Sequence, residues 1–166
     1  MKKILLLPSL VCAFIVLTLS ACHFSVGTSK DFNTGLKESH NGFAVSDVFL
    51  ANKDGQHLKN NKVKMDSTFT IVATGVENYK LNGGKAYPGC ELTLKDKTGK
   101  VLGSIPDLMA DIAKNGLVPT GATTLTAMLS LHHPFVSGET YHVTARFFDK
   151  YDPKNEIKAD VDVLLQ

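Results

Sequence analysis

Hydrophobic and polar residues alternate most cleanly near the end of the chain. In "ETYHVTARFFD", Tyr141, Val143, Ala145 and Phe147 alternate with His142, Thr144, Arg146 and Phe148. In "EIKADVDVLLQ", Ile157, Ala159, Val161, Val163 and Leu165 alternate with Lys158, Asp160, Asp162 and Leu164. A period of two with one apolar face predicts two half-buried antiparallel strands. The polar stretch "KYDPKN" between them, with Pro153, predicts the turn of a hairpin.

Five similar runs lie upstream: "FAVSDVFLA" (43–51), "STFTIVATGV" (67–76), "CELTLKD" (90–96), "KVLGSI" (100–105) and "TTLTAMLSL" (123–131). The phrases "NKDG" (52–55) and "DKTG" (96–99) read as turns, the second joining adjacent strands. One stretch predicts a helix, "PDLMADIAKNG" (106–116): Pro106 suits a first helical position, Asp107 the positive end and Gly116 the stop. About seven strands in the 125 residues of 42–166 predict an all-β sandwich.

The N-terminus follows a different pattern. Lys2 and Lys3 precede an apolar run of 16 residues, Ile4 to Leu19, which ends at Ser20, Ala21 and Cys22. That run is shorter than the roughly 20 residues needed to cross a bilayer core, and Pro8 weakens it as a helix. A charged start, an apolar middle and small residues at the end are the parts of a secretory signal. The four residues Leu19-Ser20-Ala21-Cys22 resemble the lipobox of bacterial lipoproteins. The resemblance covers residues 1–22 and implies cleavage between Ala21 and Cys22, a diacylglycerol on the Cys22 thiol and an acyl chain on the new amino group. It also implies export to the cell envelope. In lipoproteins of the enterobacterial kind an aspartate after the cysteine retains the protein at the inner membrane; His23 stands there, which leans toward the outer membrane. Residues 22–41 show no sustained periodicity and read as a flexible tether from the lipidated cysteine.

A second resemblance lies in "PFVSGETYHVTARFFD", which looks like the strand-F region of fibronectin type III and related immunoglobulin-like modules. It implies an immunoglobulin-like β-sandwich, in which the Tyr141 hydroxyl would bond back to backbone at a strand corner. Tryptophan is absent throughout, so the residue that pins many such cores is missing; Phe69 is the candidate to fill its space.

Removing residues 1–21 changes the charge balance. The 18 basic residues lose Lys2 and Lys3 and become 16, against 16 acids, so the side chains of the remaining chain sum to zero with His neutral. No basic field remains to steer nucleic acid, which excludes that partner class. Cys12 leaves with the signal, Cys22 carries lipid, and Cys90 alone stays in the domain, so no internal disulfide can form.

Candidate chemistry is sparse. Cys90 lies in no local motif with any of the six histidines and reads as a small apolar filler. His132, His133 and His142 come closest to a metal cluster, with His133 and His142 flanking the loop "PFVSGET". Zinc asks for three or four protein ligands in tetrahedral array. Asp149, Asp152, Asn155 and Glu156 offer oxygens for calcium, without the spacing of an EF-hand. Arg146, the sole arginine, is expected to pair across the sheet with Asp160 or Asp162. Phe148 sits on the polar face of its strand and Tyr151 in the turn; with Phe135 they are the candidates for a partner-contact patch. No Gly-rich phosphate loop, serine-hydrolase motif or zinc-protease motif occurs.

The sequence thus predicts an exported, lipid-anchored envelope protein with one sandwich domain at 42–166. It acts as a non-enzymatic binding or assembly module for an envelope protein or glycan and needs no cofactor beyond the lipid on Cys22. The alternative is a metal- or glycan-binding module using the 132–142 or 149–156 loops.

Overall fold

The two alternating runs at the C-terminus form the centre of the molecule. In a computed structural model, which describes residues 25–166, they become β9 (Thr140–Asp149) and β10 (Asp152–Leu165). They pair antiparallel, Val143 opposite Val161 and Phe147 opposite Ile157. The predicted inward set (Tyr141, Val143, Ala145, Phe147, Ile157, Ala159, Val161, Val163 and Leu165) is buried without exception. Fully burying side chains the size of Phe147 or Ile157 contributes about 1.5–3 kcal/mol each, so this face anchors the core.

Eight further strands complete the fold: β1 (Val26–Lys30), β2 (Lys37–Asn41), β3 (Asp47–Asn52), β4 (Lys62–Val63), β5 (Thr68–Thr74), β6 (Pro88–Lys95), β7 (Val101–Ile105) and β8 (Thr124–Ser130). One sheet runs β1-β2-β10-β9-β6-β7, with the short β4 pairing parallel to the end of β10. The other runs β3-β5-β8. The two pack face to face over a core that includes Phe43, Phe69, Leu125 and Phe147. This is an immunoglobulin-like β-sandwich, with ten strands among the described residues where about seven were expected.

All five strands expected upstream are present within a few residues. Their turns use the predicted chemistry: Asp96 accepts the amides of Thr98 and Lys100, and Gly99 supplies a φ of +86°. The corner tyrosine is also in place. The Val136 amide donates to the Tyr141 hydroxyl at 2.8 Å, five residues upstream, as the strand-F resemblance implied. Val143, two residues on, is fully buried at the position where antibody domains carry the second disulfide cysteine. Phe69 is 1% exposed and lies in the core, as does Phe43, which meets Tyr79 edge-on.

Two expectations are corrected. Residues 26–41 do not form a tether: β1 and β2 make a hairpin that extends the sheet beyond β10, with His40 opposite Ile157 and Glu38 opposite Ala159. The backbone ladder holds them, along with Leu36, which is buried, while the side chains between are mostly polar and gave no alternating signal. The segment 106–116 does not form a helix. Ala113 donates to the Met109 carbonyl at 2.9 Å, but the segment runs as a series of turns. Met109 and Ala113 are buried in the core with Leu108 half-buried against it, and the Leu108 amide is drawn away to the Cys90 carbonyl. Eleven residues with so small an apolar contact are too few to propagate a helix. The nearest helical element is a 3-10 turn at Pro119–Ala122. Asp107 and Gly116 still play their local parts, the first accepting the Met109 amide and the second taking a φ of +69°.

Candidate contact surfaces

Strand alternation decides which side chains near the β9–β10 hairpin face outward. Arg146 and Phe148 stand on the outer face between buried neighbours. Phe148 lies flat over Gly89 of β6, where a Cβ would come within 2.3 Å of its ring. The Arg146 guanidinium covers the same ring at 4.9 Å from its centroid. Arg146 pairs with Glu156 at 2.6 Å and approaches Glu91 at 3.9 Å. The expected partners Asp160 and Asp162 hold His142 instead, at 3.5 and 2.8 Å. Register explains the exchange: Arg146 lies opposite Lys158, flanked by Glu156, whereas Asp162 lies directly opposite His142.

The hairpin tip is braced from below. Asp149 is fully buried; one carboxylate oxygen accepts the Lys80 amide at 2.6 Å and the other the Tyr151 amide at 2.9 Å. Burial, reinforced by the Asp149 charge, raises the Tyr79 hydroxyl above its usual range. Beyond this brace Tyr151 meets Tyr87 edge-on, with ring centroids 4.8 Å apart. Phe148, Tyr151 and Tyr87 therefore occupy one end of the sandwich. Phe135 does not join them. It packs edge-on against Tyr141 at the start of β9, seven residues and about 23 Å from Phe148.

The structure does not assemble the metal candidates. The loop 131–139 passes from β8 in one sheet to β9 in the other, so it is not a hairpin that would set His133 against His142. His132 pairs with Asp66 at 2.9 Å, His133 is exposed, and His142 is taken by the two aspartates opposite. The oxygen donors are likewise dispersed. Asp149 points inward, Asp152 caps the Lys154 amide, Asn155 donates to the Asn78 carbonyl, and Glu156 binds Arg146 and Lys158. No group of three or more metal-ligating side chains occurs among the described residues.

Cys90 is fully buried, and burial, with Asp107 and Glu91 adding to it, pushes its thiol up to about 12. Its amide donates to Asp107 at 3.0 Å, and Asp107 in turn binds Lys150 at 2.7 Å. The residue serves packing and carries no accessible thiolate.

Two features were not foreseen from the sequence, a side-chain cluster and the exposure of a strand that the sequence did predict. The first is Ser25–His40–Glu38. Ser25 Oγ lies 3.2 Å from His40 Nε2, and His40 Nδ1 lies 2.6 Å from Glu38 Oε1. The order of groups is that of a hydrolase triad, but the Gly42 amide bonded here is taken by the Ser25 carbonyl and does not face a reacting centre. Glu38 faces inward, opposite Ala159, and its second oxygen accepts from Ser29 at 3.1 Å. The cluster satisfies a buried carboxylate and fixes the start of β1. The second is β7. All five of its residues are exposed, Val101, Leu102 and Ile105 among them, and its outer edge is unpaired. The second sheet has three strands against six abreast in the first, so the margin at β7 overhangs it.

No protein-family model and no curated protein matches the chain. Solved structures do resemble it. The C-terminal domain of Wzt aligns over 87% of this chain and 78% of its own, at 9% identity and a TM-score of 0.51. A superoxide reductase (neelaredoxin) from Ignicoccus hospitalis covers 74% of this chain and 82% of its own, at 13% identity and a TM-score of 0.40. The PmoD soluble domain from Methylocystis sp. (Rockwell) covers 84% and 96%, at 6% identity and a TM-score of 0.37. At these identities the likeness concerns the fold alone, and the Wzt domain supports the β-sandwich.

Proposed function

We propose that this chain is a lipid-anchored cell-envelope protein whose sandwich is a non-enzymatic binding module, joined to an envelope protein through the free edge of β7. The anchoring half rests on Leu19-Ser20-Ala21-Cys22 behind a charged and apolar leader. His23 after the cysteine inclines the destination to the outer membrane. The observation that carries the binding half is β7 itself. Exposed edge strands are usually blunted by charge, proline or coverage. Here "VLGSI" runs five residues without a charge or proline, with its apolar side chains in solvent. An extended segment of a partner could add to this edge through main-chain hydrogen bonds, with Leu102 and Ile105 supplying apolar contact. A partner strand suits this margin better than a glycan, because Phe148, the aromatic best placed for stacking, already lies between Gly89 and Arg146.

Both halves can be tested. Cys22→Ala should abolish detergent-phase partitioning and leave the precursor uncleaved; unchanged partitioning would refute the anchor. A photocrosslinking residue at Leu102 should give a discrete protein adduct in intact envelopes, and one at Thr144 should not. Val101→Lys with Ile105→Lys should remove that adduct without unfolding the domain. Equal adducts from both positions would refute the edge.

A further inference from the structure

The start of β1 is held tightly. Ser25 Oγ meets His40, and the Ser25 carbonyl accepts the Gly42 amide at 2.7 Å. Only His23 and Phe24 separate this point from Cys22. Three residue steps reach at most about 11 Å. On the lipoprotein reading, on which this inference rests, the bilayer surface therefore lies within that distance of Ser25.

Sheet register then identifies the end of the sandwich nearest that surface. Val26 lies opposite Asn41, Asn41 opposite Glu156, Glu156 opposite Phe148, and Phe148 opposite Gly89. These residues form one row across five strands. The chain beyond that row is the β9–β10 tip, together with the loop before β6, which Asp149 and the Tyr87 carbonyl tie to it. The tip stands three strands, or about 14 Å, to the side of Ser25. The 106–123 segment joins this end through the Leu108–Cys90 and Ala86–Leu117 backbone bonds, whereas the loops at 31–36, 53–61, 96–100 and 131–139 lie at the opposite end.

We infer that the end of the sandwich bearing Tyr151, Tyr87 and Leu81 rests against the phospholipid headgroup layer, with the 96–100 turn pointing away from the membrane. The chemistry of this end fits that occupant. Leu81 is 50% exposed and Tyr151 44%, and Val26 and Val118 add apolar surface. Tyrosines suit the headgroup level, with an apolar ring and a wet hydroxyl. The end is close to neutral: Lys80, Lys85, Lys114, Lys150 and Lys154 stand against Glu77, Asp107, Asp111 and Asp152, while Asp149 is buried. Charge thus supplies little attraction. The lipid holds the protein at the membrane, and the short connection sets which end faces it.

The test uses the lipidated chain in vesicles of phosphatidylcholine and phosphatidylglycerol. Tyr151→Cys and Thr98→Cys variants each carry a fluorophore, read by quenching from headgroup-labelled nitroxide lipid. Cys90 is buried and stays unlabelled in the folded protein. The label at 151 should be quenched severalfold more than the label at 98. Inserting about twenty Gly/Ser residues between Phe24 and Ser25 should make the two equal, because a flexible linker of that length lets the domain tumble. Mass spectrometry of the N-terminal fragment reads the lipid independently. Absence of the lipid mass would overturn the anchor and this orientation together. Lipid present with equal quenching at 151 and 98 before the insertion would overturn the orientation alone, as would a difference that survives the insertion.

Discussion

Tyr141 links a sequence resemblance to a measurable energy. Its ring is 6% exposed and packs edge-on against Phe135, 5.2 Å between centroids, while its hydroxyl accepts the Val136 amide. Tyr141→Phe keeps the ring and removes only the acceptor. A neutral hydrogen bond contributes about 0.5–1.5 kcal/mol net. Val136 is 57% exposed, so water can take over part of the lost bond. We expect a loss of about 1 kcal/mol, or about 3 °C in Tm for a domain of this size. Tyr141→Ala also removes the ring from the core and should cost about 3–5 kcal/mol. Urea unfolding of the purified chain gives both values, and an unchanged slope shows that only stability has moved. If Tyr141→Phe matches the parent protein, the hydroxyl contributes nothing and the corner is a packing feature only. If it costs as much as Tyr141→Ala, the hydrogen bond is not the mechanism.

Other predictions follow from the same geometry. Asp149→Asn replaces one accepting oxygen with a donor facing a backbone amide, and should cost about 1.5–3 kcal/mol in the same unfolding assay. Gly89→Ala drives a methyl into the Phe148 ring and should destabilise the domain, whereas adding Phe148→Ala should recover part of the loss in a double-mutant cycle. The Cys90 thiol should resist a thiol reagent at pH 8 until the chain is unfolded. Its pKa is raised on folding from 9.0 to about 12, so its contribution is complete below pH 9 and declines as pH rises between those values. Asp107 behaves in the opposite sense. Burial raises its pKa, but Lys150 and the Cys90 and Met109 amides outweigh that and hold the carboxyl below its usual value. Its contribution is present above pH 4 and lost as pH falls through the folded value; Lys150→Met should shrink this acid-side loss in unfolding curves taken from pH 6 to 2.

Legibility in the sequence followed how each strand is buried. β9 and β10 lie between neighbours with one face on the core, so burial wrote a period of two into them. β1 and β2 sit at the sheet margin, where the ladder is made by backbone groups that any side chain provides, and their polar residues carried no pattern. The 106–116 segment shows the reverse failure. Pro106, Asp107 and Gly116 are residues that favour helix ends, but no helix lies between them: Ile112 is 71% exposed, and end signals without an apolar face do not make a helix. Partner choice was the hardest to read. Glu156, Asp160 and Asp162 are all acids of the facing strand, and only the register selects Glu156 for Arg146. The Ser25–His40 contact joins residues fifteen apart through a hairpin that the sequence did not announce.

The overhanging margins explain why the two surfaces proposed here lie where they do. A six-strand layer over a three-strand layer leaves two uncovered flanks. On the β1–β2 side the inward Glu38 is hydrogen-bonded locally to His40 and Ser29, and although the outer edge of β1 is also unpaired, its exposed residues are mostly small or polar. On the β7 side the exposed residues are aliphatic and the outer backbone edge has no partner strand, so that flank is incomplete. On the proposed anchoring, the lipid would join at the β1–β2 flank, beside Ser25. β7 lies at the opposite margin, four strands from β2; were the tyrosine-bearing end on the membrane, β7 would stand upright and face sideways along it. A neighbour in the same membrane could reach that edge without displacing lipid. If the orientation holds, a crosslinker at Ile105, nearer the membrane end of β7, should capture the same protein as one at Leu102.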